Sequence, residues 1–201
     1  MARRESSGAG LVIDPAVARR IAVVGFDVDG VLTDGGVYLG LVADHAAECK
    51  RFHVPDGLGL KMLQWAGLHV IIVSGRVSEA TTLRARELGI PDVIQDDGAQ
   101  KLPALERWLG ARRLTLAQCA FVGDDLPDVP VLKRVALPIA VHNACAEVKA
   151  LATVVTGAEG GRGAAREAAE LILKARGVWD ERVEAYLNDR GDGAERTIPA
   201  R

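Results

Sequence analysis

Asp27 and Asp29 stand two residues apart, directly after the apolar run Ile21–Phe26 and just before Gly30. Carboxylates leaving a buried segment repel each other and resist desolvation unless a cation or a proton joins them. A second apolar run, Cys119–Val122, is followed by Gly123 and then by Asp124, Asp125 and Asp128. A hard, oxygen-seeking cation such as Mg2+ resolves such a concentration of acids, because it favours one or two carboxylates completed by water and phosphate. A calcium loop fits less well. The EF-hand pattern puts its glycine sixth and a helix in front, whereas here the glycine is fourth and an extended run precedes it.

Two further residues have types suited to holding phosphate. Ser74 closes the apolar run Val70–Val73 and precedes Gly75, so its hydroxyl and the adjacent N–H groups can cradle a phosphate oxygen. Alone, the same pattern describes an ordinary helix N-terminus. Lys101 falls near a predicted helix start, where the macrodipole disfavours a cation. A point charge aimed at a phosphoryl group accounts for it, and a solvated surface lysine is the plain alternative. One acid among Asp124, Asp125 and Asp128 can likewise be no more than a helix cap.

These residues need a scaffold that brings distant strand ends together. Short apolar runs at Ile21–Phe26, Leu68–Val73, Asp92–Ile94, Cys119–Val122, Leu137–Val141 and Thr153–Val155 read as strands, several buried on both faces. Helical periodicity separates them at 56–66, 78–88, 99–109, 129–134, 144–151 and 164–175, with Gly89 closing the second of these helices. Val37–Leu39 and Cys49–Phe52 suggest a β-hairpin between the first two strands. Strand–helix alternation at this spacing implies right-handed crossovers and a mainly parallel, Rossmann-like α/β sheet flanked by helices. In such sheets ligands bind beyond the carboxyl ends of the strands, where Asp27, Ser74 and Asp124 should converge. About 45 residues separate Asp27 from Ser74. They already hold a hairpin, a helix and a strand, and a further domain would need roughly 50 of its own. No separate cap domain is expected. Residues 1–14 read as a flexible leader, 15–187 as one domain and 188–201 as a flexible tail.

Composition narrows the partners. A net charge of −2 with scattered basic residues offers no nucleic-acid groove and no patch for an anionic membrane. Three cysteines, Cys49, Cys119 and Cys145, are widely spaced without a CxxC or Cys/His pattern, which argues against disulfides and zinc. No apolar stretch approaches the roughly 20 residues of a membrane span, and no apolar secretory segment precedes Asp14. The chain reads as cytoplasmic.

Taken together, Asp27-Val28-Asp29-Gly30, Ser74, Lys101 and Gly123-Asp124-Asp125-Leu126-Pro127-Asp128 resemble the ordered motifs of the haloacid dehalogenase superfamily. The resemblance implies a magnesium-dependent phosphatase with Asp27 as nucleophile and Asp29 as general acid and base. It implies Asp27, the backbone carbonyl of Asp29 and Asp124 as metal ligands, with Asp125 and Asp128 orienting metal waters and the lysine. Ser74 and Lys101 are implied as phosphate binders. More narrowly, the chain resembles the capless 3-deoxy-D-manno-octulosonate 8-phosphate phosphatases. The residues that carry this are Asp27–Gly35, Val37–Gly40, Lys50–Val54, Asp56–Gly59, Ser74-Gly75-Arg76 and Gly160–Glu167. That family implies a phosphorylated ulosonic acid as substrate, a role in lipopolysaccharide biosynthesis, and a homotetramer whose active sites are completed by neighbouring subunits. The glycine-rich segment Gly160–Gly163 would reach a neighbour. Gly75, Arg76 and Arg162 are then expected to contact the sugar acid, whose carboxylate suits a guanidinium fork. A flexible linker is the other reading of Gly160–Gly163. Pro55 departs from the family, where a polar or basic residue often precedes Asp-Gly. A nine-carbon sialic-acid-like phosphate or another small phosphate ester therefore stays open as substrate, and a non-catalytic oligomerisation domain and a phosphoacceptor signalling domain stay open as functions.

Overall fold

The computed structural model describes residues 13–42 and 45–191. Strands β1 (Val23–Phe26), β4 (His69–Ser74), β5 (Asp92–Gln95), β6 (Cys119–Gly123), β7 (Leu137–Ala140) and β8 (Val154–Val155) form one sheet in the order β5-β4-β1-β6-β7-β8. Every neighbouring pair in it is parallel. β2 (Tyr38–Val42) and β3 (His45–Cys49) pair separately as an antiparallel hairpin. The fold is thus a mainly parallel α/β sheet with a hairpin insertion. Among the described residues the chain between β1 and β4 holds no further domain.

β1 lies at the centre and is buried along its whole length, as are β6 and β7. Val23, Val24 and Phe26 face a core that includes Ile71, Ile72, Phe121 and Val122. Helix α2 (Val54–Trp65) packs on α7 (Ala164–Arg176), which also meets α1 (Pro15–Arg20). The buried face of α7 is mostly alanine, at 164, 165, 168 and 169, with Ile172 and Leu173 continuing it. Small side chains let two helices approach closely, so the contact depends on shape as well as area. Helices α3 (Glu79–Leu88), α4 (Lys101–Ala111), α5 (Val129–Leu132) and α6 (Ala146–Leu151) complete the crossovers.

Several boundaries differ from the sequence expectation. The hairpin strands run 38–42 and 45–49, not 37–39 and 49–52. Tyr38–Leu41 is apolar nearly throughout and solvent-facing, so alternation could not mark its register. Phe52 instead forms an isolated bridge to Thr33. The domain starts earlier than residue 15, because Ile13 is buried in the core and Asp14 caps α1, accepting from Ala16 N at 2.7 Å. At the other end an additional helix, α8 (Trp179–Asp189), follows the left-handed stop at Gly177. None of its residues is buried, so it carries no core stripe to announce it. The leader and tail expected from the sequence otherwise fall at 1–12 and 192–201, outside the described residues. Pro55 sits in the first turn of α2, not in a loop, where its missing N–H leaves no bond unmade. Among the described residues no helix is long and apolar enough to cross a membrane.

Candidate active site

The register of the sheet assembles the site. Phe26 is paired with Ile72 on one side and Val122 on the other, so Asp27 leaves the sheet beside Ser74 and Asp124. Asp27 N still donates to Val122 O at 3.0 Å, which fixes the residue to the strand end. The chain then turns sharply through Val28–Leu32, with Gly30 at φ +97°. That turn requires glycine twice over. L residues rarely adopt its backbone angle, and a Cβ there would overlap the Asp124 carboxylate.

Lys101 is the first residue of α4 and is buried. Its ammonium lies 2.6 Å from Asp27 Oδ1 and 2.7 Å from Asp128 Oδ1. The other oxygen of Asp128 accepts from the backbone N–H of Asp124 at 2.9 Å and of Asp125 at 3.4 Å. Asp128 therefore acts as a strut between the lysine and the strand end that carries Asp124. Asp125 is exposed, and its backbone N–H joins this arrangement.

Single carboxylate oxygens of Asp27, Asp124 and Asp128 lie within 4.8 Å of one another. Asp124 Oδ1 is buried without a hydrogen-bond partner. Burial, with the Asp128 charge, lifts the Asp27 carboxyl to about 6 against the pull of Lys101. Burial, with the charges of Asp27 and Asp128, lifts Asp124 to about 8. Burial also works against the Lys101 ammonium, but Asp27 and Asp128 together hold its pKa above the usual lysine value. One lysine does not neutralise three carboxylates, so the site is short of positive charge. Its donors are all hard oxygens. A divalent cation fits that deficit.

Asp29 was expected in the metal set through its backbone carbonyl, and its side chain has partners of its own: the Lys50 ammonium sits 2.8 and 3.0 Å from its two oxygens, and Arg76 Nε is 3.7 Å away. Ser74 is buried, and its hydroxyl is tied to Arg76, accepting from Arg76 N at 3.1 Å and donating to Arg76 O at 3.0 Å. This pins the turn Ser74-Gly75-Arg76 at the carboxyl end of β4. Arg76 is half-exposed, with its guanidinium against Glu48 at 3.0 Å. Arg162, also exposed, pairs with Glu159 at 3.6 Å. The segment before it is packed rather than loose. Gly161 N donates to Val31 O at 2.9 Å, Gly160 N donates to Asn143 Oδ1 at 2.8 Å, and a Cβ on Gly160 would strike the Gly30 carbonyl. In the single chain Gly160–Gly161 thus lies on the chain's own 30–34 loop, the reverse of a free linker.

Three residues in or around the site were given no role by the sequence reading, although Lys50 and Asp56 fall in the segments that carry the family resemblance. Lys50 and Glu48 surround Asp29 and Arg76, and only their spacing of two along the hairpin arm hinted at a shared side. Asp56 is buried and accepts from Arg166 N at 2.8 Å and Gly163 N at 3.2 Å, which ties the start of α7 to α2.

A buried acid held by a lysine at the central strand end, with a second acid opening toward the crevice, is the ground plan of a phosphoryl-transfer site. Comparisons with known proteins narrow it. Residues 87–167 match the haloacid dehalogenase-like hydrolase family. The 3-deoxy-D-manno-octulosonate 8-phosphate phosphatase KdsC of Escherichia coli K12 is 38% identical over 166 residues, 83% of this chain and 86% of that protein. The crystal structure of 3-deoxy-D-manno-octulosonate 8-phosphate phosphatase from Moraxella catarrhalis, in complex with magnesium, phosphate and KDO, superposes with a TM-score of 0.80 at 38% identity, covering 86% of this chain and 97% of that one. The cobalt-bound phosphatase from Haemophilus influenzae gives a TM-score of 0.73 at 38% identity, over 81% and 93% of the two chains. The chain belongs to the 3-deoxy-D-manno-octulosonate 8-phosphate phosphatase family of haloacid dehalogenase-like hydrolases.

Proposed function

We propose that this protein hydrolyses the phosphomonoester of a phosphorylated ulosonic acid, with 3-deoxy-D-manno-octulosonate 8-phosphate as the first substrate to test. The supporting observation is Asp27: a buried carboxylate at the central strand end, 2.6 Å from a buried lysine and crowded by Asp124 and Asp128. Asp27 attacks phosphorus, an oxygen of its carboxylate forming the new bond as the ester P–O bond breaks. Asp29 gives its proton to the departing oxygen. In the second displacement Asp29 takes a proton from water, whose oxygen attacks phosphorus and frees Asp27. Lys101 and the backbone around Ser74 and Gly75 offset charge on the phosphoryl oxygens.

Asp27 and Asp124, with the backbone carbonyl of Asp29, would hold Mg2+, while Asp128 holds Lys101 and the Asp124 backbone in place. When bound, the ion supplies positive charge beside the transferring phosphoryl group. Arg76, half-exposed next to the Ser74 turn, is suited to a substrate carboxylate. The chain is proposed to work in the cytoplasm, in lipopolysaccharide synthesis, as a homotetramer with Arg162 reaching the sugar acid from the 160–163 loop.

The test is phosphate release with Mg2+ from eight- and nine-carbon ulosonate phosphates. A clear preference for 3-deoxy-D-manno-octulosonate 8-phosphate, abolished by Asp27→Asn, supports the assignment. Preference for the nine-carbon 9-phosphate would reassign the substrate, and a single stoichiometric phosphorylation without turnover would remove the enzyme reading.

A further inference from the structure

Arg76 is fixed at both of its ends. Ser74 pins its backbone, accepting from Arg76 N at 3.1 Å and donating to Arg76 O at 3.0 Å. Glu48 takes the far end, where its Oε2 accepts from Arg76 Nη2 at 3.0 Å. The other oxygen of Glu48 accepts from the Ser78 hydroxyl at 2.6 Å. Ser78 is itself held on several sides. It caps α3, its hydroxyl accepting from Thr81 N at 3.4 Å, and its N–H donates to Gln95 Oε1 at 2.6 Å. Glu48 thus joins the guanidinium to the start of a helix that flanks the main sheet.

A guanidinium carries five N–H donors in one plane. Arg76 Nε lies 3.7 Å from Asp29 Oδ2, so the edge made by Nε and Nη2 faces Asp29 and Glu48. The end-on fork, made by Nη1 and the second N–H of Nη2, has no hydrogen-bond partner among the described residues. It belongs to a side chain that is 51% exposed. Such a fork matches one carboxylate. A half-exposed arginine loses rotamer freedom when it binds a ligand, and a partner that already orders it removes part of that cost. Glu48 is such a partner. It lies on β3, in a hairpin that pairs with no strand of the main sheet, so its bonds to Arg76 and Ser78 tie the arm to the rim of the site.

We propose that Glu48 is a positioning residue for substrate recognition, which holds the Arg76 guanidinium with its free fork available to the substrate carboxylate. The inference rests on the functional reading above, in which Arg76 receives that carboxylate. Two effects oppose each other at this position. Removing the Glu48 charge makes the surroundings of an anionic substrate more positive, which by itself would tighten binding. Releasing Arg76 loosens it, and the hold on Arg76 is the larger effect.

The full-length protein with Mg2+ is assayed on 3-deoxy-D-manno-octulosonate 8-phosphate and on p-nitrophenyl phosphate, which has no carboxylate. Glu48→Ala is expected to raise KM for the sugar phosphate by on the order of tenfold with kcat little changed, and to move KM for p-nitrophenyl phosphate far less. Glu48→Gln keeps an acceptor oxygen for Arg76 and a polar partner for Ser78, so it should recover most of the wild-type KM. The double variant Glu48→Ala/Arg76→Met should show no higher KM for the sugar phosphate than Arg76→Met alone. An unchanged or lower KM in Glu48→Ala, equal rises on the two substrates, no recovery in Glu48→Gln, or additive losses in the double variant would overturn the role of Glu48 while leaving the phosphatase reading intact. A wild-type KM for the sugar phosphate in Arg76→Met would remove the Arg76 contact and this inference with it. A wild-type protein that turns over neither phosphate would overturn the phosphatase reading as well.

Discussion

Lys101 is the residue on which the site's charge balance turns. Its ammonium bridges Asp27 and Asp128, and all three groups are buried. Removing one partner of a buried pair costs about 3–5 kcal/mol because the other charge stays behind. Lys101→Met is therefore expected to lower the unfolding free energy read from chemical denaturation by that amount and to abolish phosphate release. The acids make a second prediction. Burial and neighbouring acids lift Asp27 to about 6 and Asp124 to about 8, against an ordinary value of 3.8. Both shifts are upward, so the folded state binds protons more tightly than the unfolded one. The stability this confers is complete below about pH 4 for this pair, and is lost as pH rises through 6 and then 8. Without divalent cation, the melting temperature should fall from pH 5.5 to pH 9, and added Mg2+ should raise it more at pH 9 than at pH 5.5. A cation effect that is equal at both values would contradict the shared site. Asp27, Asp124 and Lys101 were legible in sequence because each stands where an apolar run or helix start makes a charge anomalous. The pairing of Lys50 with Asp29 was not, since a lysine after a hairpin is ordinary unless its burial is known.

At the level of elements, the crossovers were readable because buried parallel strands are continuous apolar runs and Gly89 marks a helix end. The hairpin bounds and α8 were not, because neither presents a one-sided core pattern. Two joints between elements carry predictions. Asp56 accepts two backbone N–H groups at the start of α7, and burial holds its own pKa above the usual carboxylate value. Asp56→Ala should cost about 2 kcal/mol, read as a lower unfolding midpoint. Gly160 lies against the Gly30 carbonyl. Gly160→Val should displace the loop after Asp27 and lower kcat more than it lowers the melting temperature. A variant with wild-type kcat would show that the 160–161 contact does not help to shape the site.

For the whole molecule, the hairpin raises the question of assembly. Tyr38, Leu39 and Leu41 are 63, 78 and 74% exposed on a two-stranded sheet that does not join the main one. An isolated two-stranded hairpin is marginal in water, and exposed apolar strands favour association. The chain is expected to run as a tetramer in light scattering, and Leu39→Asp/Leu41→Asp should shift it toward monomer with lower activity on the sugar phosphate. A wild-type monomer would remove the idea that neighbours complete the site. Sequence alone carried the architecture and the acid-lined crevice, since both follow from order along the chain. It did not carry the side-chain pairings, which depend on distances between residues far apart in sequence.

The most direct measurement is a crystal structure of the protein grown with Mg2+ and beryllium fluoride, which mimics a phosphoryl group on a carboxylate. The expected result is the fluoride complex bonded to the Asp27 carboxylate, with Mg2+ held by Asp27 and Asp124 and with Asp29 still paired to Lys50. Beryllium fluoride away from Asp27, or Mg2+ bound without Asp124, would contradict the mechanism.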